Sequence, residues 1–257
     1  MKLLTVYTQS HRQMLEEWFL PTLQDDYELS SFFCDVEGGG QYLQEDWSRA
    51  VLFKSRKIIE TIKENMGRVF VYADVDIEFF GPTKPEILNA IEQKDIVCQL
   101  DNPYGDLCTG FFAIRANLLT LRLWEDVYKA AKIENRDQMA FNRIIRDMKN
   151  IRFGYMSSQF FGTGTYHAED WEEGSKFYIP RSPLMYHANY TIGVDNKITL
   201  LKQVREVVNK GNGAIDANNV IFYLNRGFKG KRSVADFYKR GHVPKKESVQ
   251  MRGRPTR

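Results

Sequence analysis

One stretch, residues 68–82 (RVFVYADVDIEFFGP), constrains the fold of this chain more than any other. Its first half is a short run rich in Val, Phe and Tyr, which is typical of a strand buried on both faces of a sheet. The run ends at two carboxylates, Asp74 and Asp76, and a second apolar run then stops at a Gly-Pro turn signal. Open α/β sheets bind their ligands at the carboxyl ends of such strands. The pair therefore predicts a site for Mg²⁺ or Mn²⁺ holding a diphosphate, and the alternative is a polar loop that carries two aspartates by chance.

The composition indicates a globular protein with one unevenly charged end. At 257 residues and 43% hydrophobic, the chain can bury a full core, most simply as one domain. Of its 36 basic and 33 acidic residues, residues 226–257 hold eleven and two, a balance of +9, which leaves −6 for the remainder. We therefore expect a mildly acidic domain over residues 1–225, followed by a basic, loosely ordered tail over residues 226–257.

Cysteine usage and apolar run lengths indicate the compartment. No apolar run reaches the ~20 residues of a membrane span, and the opening MKLLTVYTQSH is too short in apolar length for a signal peptide. Three scattered cysteines without a CxxC pair argue for a reducing compartment and against a disulfide or zinc framework. We expect a cytoplasmic protein, with peripheral membrane contact through the tail as one option and a merely solvated tail as the other.

Strand and helix patterns alternate through the first half of the chain and predict an α/β fold, with a mostly parallel central sheet covered by helices on both faces. The predicted strands are residues 2–8, 29–34, 68–73, 95–100, 108–115 and 184–188, with one or two short strands within 151–161. The predicted helices are residues 13–23, 47–66, 84–93, 117–132, 137–149 and 198–210. The glycine run 38–40 is interpreted as a mobile lid or plain loop, because no helix-opening GK[ST] follows it.

Several motifs follow one another in a fixed order: VYT, the lysine-bearing helix WSRAVLFKSRKII, YADVDIEF, CTGFFAIRAN, DQMAFN and HANYTIGVDNK. Over about residues 2–202, this ordered set resembles a nucleotide-diphospho-sugar transferase with the Rossmann-like GT-A fold. The likeness is to the retaining group that includes glycosyltransferase family 77 and, more distantly, family 8. It implies α-linked transfer of a sugar from a nucleotide-diphosphate donor, a UDP-sugar by preference, to a glycan, glycolipid or glycoprotein acceptor.

The resemblance assigns a metal ion to three residues. Asp76 would ligate Mn²⁺ or Mg²⁺, Asp74 would touch the metal or the donor ribose, and His187 would be a third protein ligand. Borderline Mn²⁺ accepts one imidazole among oxygens more readily than Mg²⁺ does. Taken by itself, His187 also fits a structural histidine whose nitrogens are satisfied within the core.

The resemblance also implies contacts to the donor. Thr8 would contact the base or ribose from the end of the first strand, and Val75, between the two aspartates, belongs to the same donor site. Gly110, in CTGFF, would let the backbone pass close to the sugar.

Basic residues are expected at the donor phosphates. Gly193 and Lys197 would meet the diphosphate, but their spacing is longer than the H-x-x-G-x-x-K pattern of family 8, and Lys202 is the nearest substitute. Lys54 would reach the donor phosphate or sugar, and the alternative for it is a solvated lysine near the edge of the apolar face of its helix.

Asp137 and Gln138 open a predicted helix, where free N–H groups and the positive end of the dipole lie. By the resemblance, Asp137 would bind donor hydroxyls and the Gln138 carbonyl oxygen would face the anomeric carbon, although helix capping alone also explains an Asp there. A neutral amide is a poor nucleophile, so we expect front-face substitution within an ion pair, with Gln138 stabilising the oxocarbenium-like charge. No carboxylate pair for double displacement stands out, and Asp106, Glu169 and Asp170 stay open as candidates.

Two other functions are compatible with parts of this sequence. A nucleotidyltransferase can share the sheet and the acidic pair, but it requires a Gly-rich basic loop after the first strand, where this chain has TQSHRQ. The alternative from another class is a non-catalytic binding module that uses the basic tail on a membrane or on nucleic acid. Of these two surfaces we expect the membrane, and no nucleic-acid partner.

Overall fold

The chain forms an α/β structure around a six-stranded central sheet. The computed structural model describes residues 1–36, 45–165, 169–175 and 177–211, and the backbone of three further short strands. The strands are β1 (Lys2–Tyr7), β2 (Glu28–Phe33), β3 (Val69–Ala73), β4 (Ile77–Phe79), β5 (Ile96–Leu100), β6 (Leu107–Arg115), β7 (Phe153–Tyr155), β8 (Phe160–Gly162), β9 (Ile179–Pro180), β10 (Met185–His187), β11 (Ala214–Ile215), β12 (Ile221–Tyr223) and β13 (Lys231–Ser233). The helices are α1 (Arg12–Met14), α2 (Leu20–Thr22), α3 (Glu45–Glu64), α4 (Lys84–Ile91), α5 (Leu118–Glu134), α6 (Asp137–Asp147) and α7 (Val194–Lys210). Short 3₁₀ turns span Gln9–His11 and Thr163–Thr165, and a π-helical turn, Leu15–Phe19, joins α1 to α2. The predicted 38–40 loop lies outside the described residues.

The strand order of the central sheet is β2-β1-β3-β6-β5-β7. Strand β6 is antiparallel to both of its neighbours, β3 and β5, and the other pairs are parallel, so the predicted mostly parallel sheet is confirmed. The reversal at β6 has a simple cause. Only residues 101–106 connect it to β5, and a parallel return requires a crossover of a dozen or more residues.

Aromatic side chains of β6 show that both faces of the sheet are covered. Phe112 stacks on Trp124 of α5, with ring centroids 5.2 Å apart, and Trp124 lies 5.4 Å from Phe141 of α6. The next residue along the strand, Phe111, points the other way and stacks on Phe160 of β8 at 5.7 Å. Phe19 of the π-helical turn joins that second face through Phe79, at 5.3 Å. Helices therefore pack on both sides of the sheet, as predicted.

A second, smaller sheet carries the chain back to the acidic corner. Its order is β4-β10-β8, with β10 antiparallel to β4 and parallel to β8. The register pairs His187 with Ile77, the residue after Asp76, and the Ala188 N–H donates to the Asp76 carbonyl oxygen at 2.9 Å. This pairing brings His187 beside a carboxylate more than a hundred residues away in sequence.

Helix α7 begins earlier than the sequence pattern predicts. The apolar stripe starts at Ile198, but the helix starts at Val194, because three polar residues follow Val194 and interrupt the stripe. Gly193 precedes it with a φ of 86°, a conformation that glycine adopts without strain. Lys197 therefore lies in the first turn of a helix rather than in a loop.

The structure describes little of the predicted tail. Of residues 226–257, it describes β13, which pairs antiparallel with β12. In the segment before the tail, β11 pairs parallel with β9. The rest of residues 226–257 and the predicted boundary at residue 225 lie outside the described residues. In the described part of the chain, no helix combines the length and apolar character that crossing a membrane requires.

Candidate active site

Three side chains converge where β3 ends and β10 passes. Asp74, Asp76 and His187 each offer one ligand atom, and these atoms lie within 4.8 Å of one another. Asp76 and His187 are buried, with 5% and 3% of their surface exposed, and His187 Nε2 lies 3.2 Å from Asp76 Oδ1. Asp74 is half-buried and accepts a hydrogen bond from the Tyr72 hydroxyl at 2.6 Å. The cluster has the donor set and the geometry of a divalent-cation site.

Gly110 on β6 makes room for this cluster. A Cβ at this position would lie 2.4 Å from His187 Cε1 and 2.6 Å from Asp74 Oδ2, and hydrogen bonds hold both of these side chains in place. The Asp74 N–H also donates to the Gly110 carbonyl oxygen at 2.7 Å. Gly110 was predicted to let the backbone pass close to the sugar. The structure shows a further reason for a glycine here, because the Asp74 and His187 side chains fill the space that a Cβ would need.

Lys197 occupies the other side of the Asp76 carboxylate. Its Nζ forms an ion pair with Asp76 Oδ2 from the first turn of α7. Burial raises the pKa of Asp76, but the Lys197 ammonium and His187 outweigh burial and hold this pKa well below its usual range. Lys202, the predicted substitute, is exposed on the next turn of α7 and does not line the cavity.

Lys54 of α3 links the two halves of the site. Its Nζ lies 3.6 Å from Asp74 Oδ1 and 3.3 Å from Asp137 Oδ2, and 4.8 Å above the Tyr72 ring. Burial lowers the pKa of Lys54, yet Asp137 and Asp74 more than offset it and raise the pKa above its usual value. The alternative of a solvated helix lysine is wrong, because Lys54 is 8% exposed and remains charged between two carboxylates.

Asp137 and Gln138 open α6 and point toward the same cavity. Asp137 is not the residue that caps the helix, since Arg136 precedes it at the cap position and forms no side-chain cap hydrogen bond. The Asp137 carboxylate instead faces Lys54 and accepts from the Gln138 N–H at 2.8 Å. Gln138 Oε1 accepts from the Thr109 N–H at 3.0 Å, which fixes the amide beside the cavity.

A cavity of about 560 Å³ encloses these groups. All of the predicted site residues line it: Thr8, Lys54, Asp74, Val75, Asp76, Gly110, Asp137, Gln138, His187, Gly193 and Lys197. Asp106 and Asp170 also reach the cavity, but Asp106 pairs with Arg146 at 2.9 Å. The fold thus brings the predicted residues together from elements spread over most of the described chain.

Several residues of the cavity wall escaped sequence analysis. Asp101 is 1% exposed and accepts from Tyr190 OH at 2.9 Å, Asn102 Nδ2 at 3.1 Å and Asn189 Nδ2 at 3.2 Å. Burial raises the pKa of Asp101, and the hydrogen bond from the Tyr190 hydroxyl partly counters that effect. A lone Asp after a strand carries no motif, although its place at the carboxyl end of β5 was the available signal.

His11 was also missed, because it lies in a short polar loop. Its Nδ1 is 3.2 Å from Thr8 Oγ1 and 3.0 Å from Ser10 Oγ, and its ring lines the cavity. Burial and the nearby Lys197 lower the pKa of His11, with Asp76 and Asp74 acting in the opposite direction. The end of β1 therefore contributes a neutral polar wall to the cavity.

Comparison with known proteins identifies the class to which this fold and site belong. Residues 36–201, more than half of the chain, match the family model described as nucleotide-diphospho-sugar transferase, and the chain belongs to this family. Its members use nucleotide-diphospho-sugar donors, so the predicted family and the coarse activity, transfer of a glycosyl group, are confirmed.

One solved structure agrees with the family at the level of fold, and a second has a weaker likeness. A glycosyltransferase involved in the glycosylation of the major capsid of PBCV-1 is 11% identical with a TM-score of 0.51, over 79% of this chain and 100% of that chain. Mouse xyloside xylosyltransferase 1, in its apo form, is 10% identical with a TM-score of 0.45, over 73% of this chain and 97% of that chain. No curated protein matches the chain in sequence. The first likeness supports the GT-A fold and nothing narrower.

Proposed function

We propose that this protein is a metal-dependent, retaining glycosyltransferase that uses a UDP-sugar and makes an α-linkage to a glycan, glycolipid or glycoprotein acceptor. The observation that carries the proposal is the convergence of Asp74, Asp76 and His187 within 4.8 Å, on the wall of a cavity that also holds two lysines. Cation ligands beside ammonium groups suit a diphosphate, whose charge both can meet.

The residues present fit Mn²⁺ better than Mg²⁺. Two carboxylate oxygens and one imidazole nitrogen form a mixed set that Mn²⁺ accepts, whereas Mg²⁺ favours oxygen alone. Gly110 keeps the space beside the ligands free of a Cβ, and Asp76 is already held ionised by its neighbours. When bound, the cation would supply Lewis-acid stabilisation of the negative charge that develops on the leaving nucleotide.

Different side chains around the cluster would bind different parts of the donor. Lys197 and Gly193, at the N-terminus of α7, line the cavity and would bind the diphosphate, because a helix N-terminus binds phosphate oxygens through its free N–H groups. Thr8 and Val75 line the part of the cavity that the nucleoside would fill. Lys54, paired with Asp137, orients that carboxylate toward the hydroxyls of the sugar.

Gln138 is the residue proposed to face the reacting carbon. Its Oε1 accepts from the Thr109 N–H at 3.0 Å, and the Thr109 hydroxyl lies 3.4 Å both from this oxygen and from Asp137 Oδ2. When that hydroxyl donates to Asp137, the amide oxygen keeps a second lone pair for a developing oxocarbenium ion. An amide oxygen stabilises this charge without forming a lasting bond to the sugar, so the leaving and attacking groups share one face. That arrangement favours retention of configuration, and Asp106, held by Arg146, is a poor candidate for a nucleophile.

Calorimetry of UDP binding with and without Mn²⁺ tests the proposal. Asp76→Asn and His187→Ala are expected to lose Mn²⁺-dependent UDP binding while their unfolding temperatures stay close to the parent's. The control is Asp126→Asn, which removes a carboxylate from the surface of α5, outside the cavity. Equal affinity of both site variants and the parent for UDP with Mn²⁺ would disprove the metal assignment.

A second assay addresses the sugar and the stereochemistry. A panel of UDP- and GDP-sugars with Mn²⁺ is followed for slow donor hydrolysis without acceptor, and the anomer first released is read by proton NMR. The proposal predicts hydrolysis of a UDP-sugar with the α-anomer released first. First release of the β-anomer would contradict retention.

A further inference from the structure

We propose that Gln99 is a positioning residue that keeps the proton of the His187 imidazole on Nδ1, so that Nε2 offers its lone pair to the cation. The half of this inference that concerns the cation rests on the proposed function. The half that concerns the proton stands on the geometry of the protein itself. Nothing in the sequence pattern of β5 marks Gln99 as a site residue.

The position of Gln99 supports this role. It is fully buried in β5, and its Oε1 lies 3.0 Å from His187 Nδ1. The opposite ring nitrogen, Nε2, lies 3.2 Å from Asp76 Oδ1. The imidazole is thus held between an amide oxygen and the ligand carboxylate, and the fixed strand register of β10 with β4 allows it little movement.

The two neighbours of the ring compete for its proton. A neutral imidazole carries one N–H, and it can ligate a metal only through the nitrogen that lacks the proton. Asp76, as an acceptor next to Nε2, draws the proton to the wrong nitrogen for metal binding. The Gln99 oxygen offers an acceptor on the other side and favours the Nδ1–H tautomer. Ligating histidines commonly depend on such a partner for orientation and tautomer.

The orientation of the Gln99 amide follows from what surrounds its other end. Its Nε2 packs against Gly162, where a Cβ would lie 2.4 Å from that nitrogen. The same Cβ position is 2.7 Å from Asn189 Oδ1, an acceptor, which favours the amide NH₂ on that side and the oxygen toward His187. Among the described residues, Gln99 Nε2 has no hydrogen-bond partner, so His187 is the neighbour that accounts for this buried amide.

Only one other polar group approaches His187 Nδ1 in the described part of the chain. Cys108 Sγ lies 3.7 Å away, and a thiol is a weak acceptor. The sulfur therefore cannot serve as the acceptor for the Nδ1 proton in place of the Gln99 oxygen. Mutating Gln99 and Cys108 separately distinguishes their effects on this proton.

The experiment is long-range ¹H–¹⁵N NMR of ¹⁵N-histidine-labelled protein, recorded in EDTA and again with Mg²⁺ and UDP. His187 is assigned by the signals that disappear in His187→Ala. In the parent, we expect Nδ1 to carry a proton in both samples. In Gln99→Leu, we expect the proton to move to Nε2 in EDTA, and the affinity for Mn²⁺ to fall about 10- to 100-fold. Cys108→Ala is expected to keep the proton on Nδ1.

A second variant covers the case in which Gln99→Leu does not fold. Gln99→Met keeps the length and nearly the volume of the side chain but removes the amide oxygen, so it is also expected to move the proton to Nε2. An unprotonated Nδ1 in the parent would overturn the inference, as would a Gln99 variant with an unchanged tautomer. Because the EDTA spectra involve neither metal nor donor, their result is independent of whether the proposed function holds.

Discussion

At the scale of single residues, the proposed cation would compete with a positive charge that the protein itself supplies. In the protein without ligands, the Lys197 ammonium neutralises Asp76, and a divalent cation would take over that role. Lys197 would then be free to meet the diphosphate that arrives with the metal. The same lysine therefore opposes the cation when it binds alone and assists it when it binds with the nucleotide.

Replacing Lys197 separates these two effects. Lys197→Ala is expected to bind Mn²⁺ alone more tightly, because a competing and repelling charge is gone, and to bind UDP with Mn²⁺ about tenfold more weakly, a loss of ~1.4 kcal/mol. Titration calorimetry with Mn²⁺, and then with UDP at saturating Mn²⁺, measures both. Lys202→Ala, an exposed lysine of the same helix, is the matched control. Changes of the same sign in the two titrations would contradict this account.

His11 gives the site a pH dependence whose sign can be stated. Burial, then Lys197, lower the pKa of His11 from its ordinary value of 6.5, so the unfolded chain binds this proton more readily than the native protein. The stabilising contribution is fully present above that value and is lost as the pH falls below it. Measured by urea unfolding in EDTA, the parent should lose more stability than His11→Asn between about pH 7.5 and about pH 5.5. An equal loss in both proteins would exclude His11 as the source.

Residues were predictable from sequence where a motif or a resemblance marked them. Asp74, Asp76 and His187 stand in motifs, and the fold brings them together as expected. Asp101 and Gln99 are single polar residues at or within a buried strand, and their partners lie about 90 positions downstream. Sequence periodicity is a local property, so it does not predict contacts with residues this far away in the chain.

At the scale of elements, the site depends on the space beside β6 that the His187 and Asp74 side chains fill. These side chains lie so close to Gly110 that position 110 has no room for a Cβ. Gly110→Ala is expected to displace His187 or Asp74 and to weaken Mn²⁺ binding about 10- to 100-fold, with the central sheet intact because the glycine does not have a positive φ.

Another strand glycine provides the control for that variant. Gly154→Ala on β7 would place its Cβ 2.8 Å from Lys94 Cε, the end of a flexible side chain that can move away. Circular dichroism should report the same fold for both variants, and Mn²⁺ titration should separate them. Unchanged Mn²⁺ affinity in Gly110→Ala would show that the close approach is not required for the site.

Helices and strands were predicted well where contact with the core determines their apolar pattern. They were predicted less well where residues near the candidate active site interrupt that pattern. Strands β1, β2, β3, β5 and β6 match their predicted bounds to within a residue, whereas β4 was not predicted as a strand. The start of α7 was placed four residues late, because three polar residues follow Val194 in its first turn and no apolar stripe marks it. Lys54 was expected near the edge of an apolar face, and its burial became evident only with the carboxylates that two other elements supply.

At the scale of the whole molecule, charge is distributed unevenly between the domain and the tail. Residues 226–257 carry eleven of the 36 basic residues and two of the 33 acidic ones. We predict that the full chain floats with anionic liposomes in a salt-sensitive manner, and that residues 1–225 do not. Flotation in a density gradient at low and high salt measures this difference. Equal flotation of both proteins would remove the tail from any role at membranes.

The truncated protein also tests the domain assignment. If residues 1–225 form a complete transferase domain, they should retain the parent's affinity for UDP with Mn²⁺, since the described cavity is built from residues before α7 ends. The fold class followed from the alternation of strands and helices, whereas the direction of β6 followed from the length of a single connection. The tail carries no periodicity from which a structure could be predicted.

The central claim is that one cation is shared by carboxylates at the end of β3 and the imidazole of β10. Electron spin echo envelope modulation of the Mn²⁺–UDP complex, in protein labelled with ¹⁵N-histidine, tests it directly. We predict a ¹⁵N coupling from a directly bound imidazole that is lost in His187→Ala. A saturated complex without ¹⁵N coupling, or a coupling that survives the loss of His187, would contradict the claim.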